Sequence, residues 1–131
     1  MDTRDVLLTV KQVDILIDDE EVIFEGPSSI LLDERVSIYR FSDSNDVFTE
    51  IYINDDEYLI KRSSEYKLNI HLTNKDSNMV VTNEIGTLKF VCTLDSFVST
   101  NNQQVIEYSV LDNAEVVGKY RLDIAWKESN E

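Results

Sequence analysis

Apolar and polar residues alternate along almost the whole of this chain. From Arg4 to Lys127 the alternation is interrupted only by short turns that are rich in Asp, Asn and Ser. A period of two places successive side chains on opposite faces of a β-strand, and no stretch shows the 3.6-residue period of a helix. The pattern predicts an all-β domain, either closed into a barrel or folded as a sandwich.

Turn residues divide the chain into predicted strands. The clear ones are 4–17, 20–25, 35–41, 47–53, 57–62, 66–72, 85–98, 103–111 and 115–127, and the weaker ones are 29–32 and 79–82. Gly26-Pro27 is predicted as a turn between two of them. Because most links are short, neighbouring strands are expected to pair antiparallel. Long strands favour a single antiparallel up-and-down barrel, since closure removes exposed sheet edges.

The last three predicted strands show most clearly which side chains face inward. Alternation places on their apolar faces Leu88, Phe90, Cys92, Leu94, Ile106, Tyr108, Val110, Val116, Tyr120, Leu122, Ile124 and Trp126. Charged and hydroxyl side chains occupy most of the opposite faces. One dry face and one wet face are typical of an antiparallel sheet wrapped around a core.

Length and composition predict one soluble domain. Residues 1–131 fall in the usual size range of a single domain, and 42% of them are hydrophobic. Cys92 is the sole cysteine, which excludes an intramolecular disulfide and a Cys-rich zinc site. No signal peptide is visible, and no apolar run approaches the roughly 20 residues of a membrane-spanning helix. We expect a cytoplasmic protein.

The charge balance is strongly acidic. Twelve basic residues stand against 26 acidic ones, for a formal net charge of −14. Nucleic acids and anionic membrane surfaces would be repelled, so neither is an expected partner. Acidic turns and outward faces serve solubility first. The alternative is that they recruit a basic protein partner.

Several local motifs, taken in order, resemble those of the YwiB-like family of small bacterial proteins. They are Val22-Ile23-Phe24-Glu25-Gly26, then Tyr39, Phe41 and Asp43, then Thr49, Ile51 and Ile53, then Leu59-Ile60-Lys61-Arg62, then Ile85-Gly86-Thr87-Leu88 and Thr93. The chain departs from the family pattern at Ser63-Ser64, where the family has Gly, and at Val81 and Asn83. The resemblance implies a calycin-type (lipocalin-like) β-barrel and no established activity.

No constellation of residues predicts an enzyme. The lone His71 falls on the polar face of its strand and Cys92 on the apolar face of another, so a Cys–His nucleophilic pair is not expected. Glycine occurs only at Gly26, Gly86 and Gly118, too sparsely for a phosphate-binding loop. We predict no catalytic residue and no cofactor.

The acidic clusters are interpreted as turns rather than as a metal site. They are Asp18-Asp19-Glu20-Glu21, Asp43-Ser44-Asn45-Asp46 and Asp55-Asp56-Glu57. None has the spaced ligands and distant Glu of a calcium loop. We predict no bound metal.

Arg62 is the strongest candidate for a ligand-binding residue. Tyr58, Ile60 and Arg62 alternate onto one face, and if that face is inward the guanidinium enters the lumen. A buried Arg must be paired or must serve an anionic ligand. The side chains predicted to add hydroxyls to such a lumen are Tyr39, Tyr66, Tyr108 and Tyr120. The alternative is that Arg62 closes one barrel end by pairing with Glu50 or Asp43, or lies outside.

Two functions remain open on the sequence. A barrel of about eight strands has an interior just large enough for one small ligand, so the first is binding of a small, partly apolar or anionic molecule in the lumen. Trp126, inward near the end of the last strand, is then expected to report binding by its emission. The second is a barrel filled by its own side chains, which acts as a structural or protein-interaction module with an acidic surface.

Overall fold

Ten β-strands make up the fold, and there is no helix within residues 2–43 and 45–129, which the computed structural model describes. The strands are β1 (Asp2–Asp14), β2 (Asp19–Leu32), β3 (Ser37–Ser42), β4 (Phe48–Asn54), β5 (Glu57–Ser63), β6 (Lys67–Thr73), β7 (Ser77–Thr82), β8 (Thr87–Ser99), β9 (Gln103–Asp112) and β10 (Glu115–Glu128). None of the described residues belongs to a helix that could cross a membrane.

The strands close into an antiparallel, up-and-down barrel. Each strand pairs with the next along the chain, and β1 pairs with β10 to complete the ring. This confirms the predicted barrel and sets aside the sandwich. The ring has ten strands rather than about eight, and a larger strand number widens the interior.

The predicted turn at Gly26-Pro27 is wrong. Strand β2 runs straight through it, and Leu8 and Leu7 of β1 lie opposite Gly26 and Pro27. Strand β2 pairs with β3 at Leu31 and Leu32, near its end. Pro27 lies outside that segment, so its missing N–H breaks no hydrogen bond towards β3. The two predicted strands 20–25 and 29–32 are therefore one.

Antiparallel order sorts the turns onto two ends of the barrel. One end carries the turns at 15–18, 43–47, 64–66, 83–86 and 113–114. We call it the mouth end, because the lumen cavity lies next to it. The other, the far end, carries the turns at 33–36, 55–56, 74–76 and 100–102.

Most of the predicted inward side chains form the core. Fully or nearly fully buried among them are Cys92, Ile106, Tyr108, Val110, Leu122, Ile124 and Trp126. Phe90, Leu94 and Tyr120 are partly buried and pack against this core. The period of two therefore located the inward faces of the last three strands.

Two of the predicted inward residues are exposed instead. Val116 is 53% exposed, because the register between β10 and β9 shifts between Val116 and Gly118 and places Val116 opposite the outward Leu111. Leu88 is 64% exposed, since it is the second residue of β8 and stands at the mouth end. A bulge and a strand end thus override simple alternation.

Candidate functional site

The barrel encloses a cavity of about 270 Å³ in the half of the lumen next to the mouth end. It is lined by Gln12, Ile23, Thr49, Ile51, Ile60, Arg62, Leu68, Ile70, Met79, Phe90, Tyr108, Val110, Val117, Gly118, Tyr120 and Leu122. The cavity is partly open, and Val117 in its lining is also 54% exposed near the start of β10. The wall is mostly apolar, with a few polar side chains.

A glycine and a tyrosine on β10 shape one wall of this cavity. The Tyr120 ring lies over Gly118, where an added Cβ would stand 2.7 Å from Tyr120 Cε2 and 2.8 Å from its hydroxyl oxygen. Any larger residue at Gly118 would push the ring away. The Tyr108 ring lies beside it, with its centroid 5.6 Å from that of Tyr120. The two tyrosines line the cavity without filling it.

Arg62 reaches the cavity wall and is held by a buried carboxylate. Its Nη2 donates to Asp43 Oδ2 at 2.7 Å, and the Asp43 side chain is only 2% exposed. The other oxygen of Asp43 accepts the backbone N–H groups of Asn45 and Val47, at 2.9 and 3.1 Å. Asp43 therefore ties the turn at 43–47 to strand β5. This is one of the two structural pairings that the sequence left open for Arg62, whereas Glu50 pairs with Arg40 at 3.0 Å.

Two polar atoms at the cavity wall have no hydrogen-bond partner among the described residues. They are Arg62 Nε and Thr49 Oγ1, and both are buried. Thr49 and Arg62 stand opposite each other on β4 and β5, so the two atoms belong to one small polar patch. An unpaired buried donor costs about 1–3 kcal/mol. Both atoms lack accessible surface, as do the Tyr39 hydroxyl and Gln104 Oε1, which are likewise unpaired within the described residues and lie outside the cavity lining.

The predicted lumen tyrosines divide into two groups. Tyr108 and Tyr120 line the cavity, and burial raises the pKa of both phenols, which keeps them protonated and able to donate. Tyr39 is fully buried but lies outside the cavity lining, and its hydroxyl has no partner within the described part of the chain. Tyr66 is 48% exposed at the mouth end, so the prediction that its hydroxyl enters the lumen is wrong.

Thr49 is a polar cavity residue that was not among the candidates from the sequence. It alternates with Ile51 and Ile53 along β4, and all three are buried. Alternation along β4 therefore places the Thr49 side chain inward, just as alternation along β5 places Arg62 inward. Only the register between β4 and β5 shows that Thr49 stands opposite Arg62.

Comparison with known proteins identifies a solved structure with a similar fold. No protein-family model matches the chain, and no curated protein matches its sequence. The crystal structure of the ywiB protein from Bacillus subtilis is similar, with a TM-score of 0.70 over 97% of this chain and 93% of that chain. The two chains share a barrel fold. With 16% sequence identity, the likeness is one of fold alone, and at that level it supports the expected YwiB-like barrel.

Trp126 lies away from the cavity. It is 9% exposed, near the end of β10 at the far end of the barrel, and the Arg4 guanidinium carbon stands 5.5 Å from its ring centroid. It is not part of the cavity lining. The expectation that its emission reports ligand binding is therefore corrected: the tyrosines, not the tryptophan, stand at the cavity.

His71 and Cys92 lie on opposite faces of the barrel wall, as their strand parity predicted. His71 Nε2 is 2.7 Å from Glu57 Oε1 and is part-exposed, whereas Cys92 is 3% exposed in the core. Across residues 2–43 and 45–129, no group of three or more His, Cys, Asp and Glu side chains is arranged to hold a metal ion.

Cys92 is buried in the core, which predicts an unreactive thiol. Desolvation raises its pKa to about 11, so little thiolate forms in the native state near neutral pH. We expect a thiol reagent to label the native protein far more slowly than the denatured protein. Because the folded pKa is the raised one, the thiol's contribution to stability is lost as pH rises from about 9 to about 11.

The test for Cys92 is a labelling time course in native buffer and in denaturant. Cys92→Ala should lower the free energy of unfolding by about 1–2 kcal/mol, as a small truncation in a core does. Equal labelling rates in the two conditions would contradict the inward position of Cys92.

Proposed function

We propose that the barrel binds one small, largely apolar molecule in the lumen cavity, with an oxygen of that molecule accepting hydrogen bonds at the wall. A cavity of about 270 Å³ is close to the lower end of ligand pockets, which run from about 300 Å³. It exceeds the roughly 150 Å³ of an apolar cavity that takes up benzene. The protein acts, in this proposal, as a binding protein rather than an enzyme.

The observation that carries the proposal is the mostly apolar lumen cavity, with the Arg62 and Thr49 side chains in its wall. Ligand sites are mostly apolar, with a few polar groups that orient the bound molecule. The guanidinium keeps donors beyond the one that Asp43 takes, since Arg carries five N–H groups in a fixed fork. A carbonyl or carboxylate oxygen at this wall would accept from these remaining guanidinium donors.

The apolar part of the ligand follows from the rest of the wall. Ile51, Ile60, Ile70 and Leu122 surround the cavity below the patch, and all are nearly fully buried. A molecule with a short hydrocarbon body and one oxygen-bearing head group matches this division. The calycin-type relationship that the motifs implied favours the same function, as barrels of that kind hold one small ligand.

The proposal predicts that octanoate and octanol, which share one chain and differ in head group, bind at about one molecule per chain. Val110→Phe should weaken both by about tenfold or more, or 1.4 kcal/mol, because the new ring occupies the cavity. Val98→Phe is the matched control, since Val98 is 58% exposed near the far end. Calorimetric titration of the three proteins checks this.

Two results would contradict ligand binding in the lumen. One is that neither compound binds the wild-type protein. The other is that Val110→Phe binds both compounds as the wild type does, which would place their site elsewhere. If Val110→Phe does not fold, Leu68→Phe replaces it, because Leu68 lines the same cavity at a half-buried position where a larger ring has room.

A further inference from the structure

Large exposed apolar side chains gather at the mouth end of the barrel. Six of them form what we call the apolar rim: Leu16, Ile17, Phe48, Ile85, Leu88 and Val117. Their exposures run from 42% for Phe48 to 95% for Ile85. They come from the turns at 15–18 and 83–86 and from the first residues of β4, β8 and β10, so they are spread around the opening.

Hydrogen bonds fix the two turns that carry Leu16, Ile17 and Ile85. Asn83 Oδ1 accepts the N–H groups of Ile85 and Gly86 at 2.9 and 3.1 Å, which fixes the turn with Ile85 at its tip. The Ile15 N–H donates to the Lys119 carbonyl at 2.8 Å and anchors the base of the Leu16 turn against β10. Turn tips usually carry polar residues. Large apolar side chains exposed together at one end of a protein favour an interaction surface.

The charge at this end selects the kind of partner. The mouth-end turns carry Asp18, Asp46, Glu65 and Glu84, all exposed, and their sequences contain no Lys or Arg. A second copy of this chain would bring the same acidic turns against them, and anionic lipid would be repelled as well. A polypeptide that combines apolar and basic side chains complements both features.

We propose that the mouth end docks a basic, amphipathic segment of a partner protein. Its apolar face covers the apolar rim, and its Lys and Arg side chains meet the acidic turns. Amphipathic helices bind grooves in this way, through apolar anchors spaced along one face. A segment seated on the rim would also cover the opening of the lumen cavity beside Val117. The surface stands independently of any ligand in that cavity.

The test uses a synthetic amphipathic helix of Leu and Lys as the probe. Its controls are a peptide of the same composition in scrambled order and a Leu and Glu helix. The rim variant is Ile17→Ser with Ile85→Ser, at positions 69% and 95% exposed. The matched control is Val91→Ser with Val98→Ser, at positions 65% and 58% exposed outside the mouth end. Thermal unfolding checks that both double variants fold.

We expect the Leu and Lys helix to bind, more weakly at higher salt, and to shift backbone amide signals at the mouth-end turns. The rim variant should lose about tenfold or more in affinity, while the Val91 and Val98 variant keeps the wild-type value. Asp18→Asn with Glu84→Gln, which leaves the rim intact, should also weaken binding and reduce its salt dependence.

Four results would overturn the proposal. The Leu and Glu or the scrambled peptide could bind as well as the Leu and Lys helix. The two serine double variants could lose affinity equally, which would show that the helix contacts the barrel wall in general and not the apolar rim in particular. The helix could fail to bind at all. Finally, the wild-type protein could self-associate or bind neutral phosphatidylcholine vesicles while the rim variant does neither. That result would assign the rim to a second copy or to lipid.

Discussion

Replacing Asp43 with Asn is expected to lower the free energy of unfolding by about 3 kcal/mol, since it leaves a partly buried guanidinium without its counter-charge. The Asp43 side chain is 2% exposed and its Oδ2 is 2.7 Å from Arg62 Nη2. The Asn oxygen can keep the turn contacts to Asn45 and Val47, so the lost charge accounts for most of the change. Urea unfolding of both proteins measures the difference.

Asp46→Asn is the matched control for this substitution. Asp46 lies in the same turn, is exposed, and has a φ of 58°, a left-handed conformation that Asn tolerates well. Its replacement should change the free energy of unfolding by less than about 0.5 kcal/mol. Equal effects of the two substitutions would show that the Arg62–Asp43 pair contributes little to the fold.

The same variant links the ion pair to the proposed ligand. With Asp43 neutral, Arg62 has no carboxylate of its own, so octanoate should bind Asp43→Asn more tightly than wild type, while octanol should not. A charge-assisted hydrogen bond of this kind contributes about 1.5–3 kcal/mol. Octanoate should then restore part of the lost stability through linkage. A gain that is the same for octanoate and octanol would show that the head group does not lie at Arg62.

Leu72→Ala is expected to lower the free energy of unfolding by about 3–5 kcal/mol, the upper part of the range for a Leu truncated in a tightly packed core. Leu72 is fully buried on β6, and its register partner on β5 is Tyr58. The Tyr58 ring stacks on Phe97, with centroids 4.4 Å apart. Because Leu72 has no exposed surface, its neighbours pack closely around it and are not expected to close over the space that the substitution leaves.

Leu68→Ala is the matched comparison, because Leu68 lies on the same strand and the same face but lines the cavity. A side chain that faces a cavity has fewer packing partners to lose. The cost should therefore be smaller, about 2 kcal/mol, at the lower end of the range for Leu→Ala. Chemical unfolding of the two variants side by side compares the halves of the barrel. If both substitutions cost the same, the mouth half of the lumen is packed as tightly as the far half.

Part of the candidate site was predictable from strand parity. Arg62 alternates with Ile60 and Tyr58, and Tyr108 and Tyr120 alternate with apolar neighbours, so their inward positions followed from a period of two. Tyr66 precedes the first residue of β6 and lies in a turn, where parity no longer applies. Tyr39 has the right parity, but it lies on a part of the inner surface that does not line the cavity.

The partner of Arg62 could not be chosen from the sequence. Glu50 and Asp43 are both acidic residues on or next to neighbouring strands, and sequence distance does not separate them. In the structure Glu50 lies on the outer face, where it accepts from Arg40 and from the Tyr52 hydroxyl. Asp43 follows β3 in the turn at 43–47, and its buried carboxylate meets Arg62 at the inner wall. The face of the sheet on which each carboxylate lies decided the pairing.

The sequence by itself determined the all-β class, the antiparallel order and the inward faces of most strands. These are local properties, since the pleat sets the alternation and short turns set the order. Only the tertiary structure decided that the mouth half of the lumen holds a cavity, while Tyr58 and Phe97 stack in the far half. That outcome depends on which inward side chains from the ten strands lie at the same level along the barrel axis. Strand register and bulges, such as the one between Val116 and Gly118, set those levels. The apolar rim has the same origin, because closure of the ring brings turns that are distant in sequence to one end.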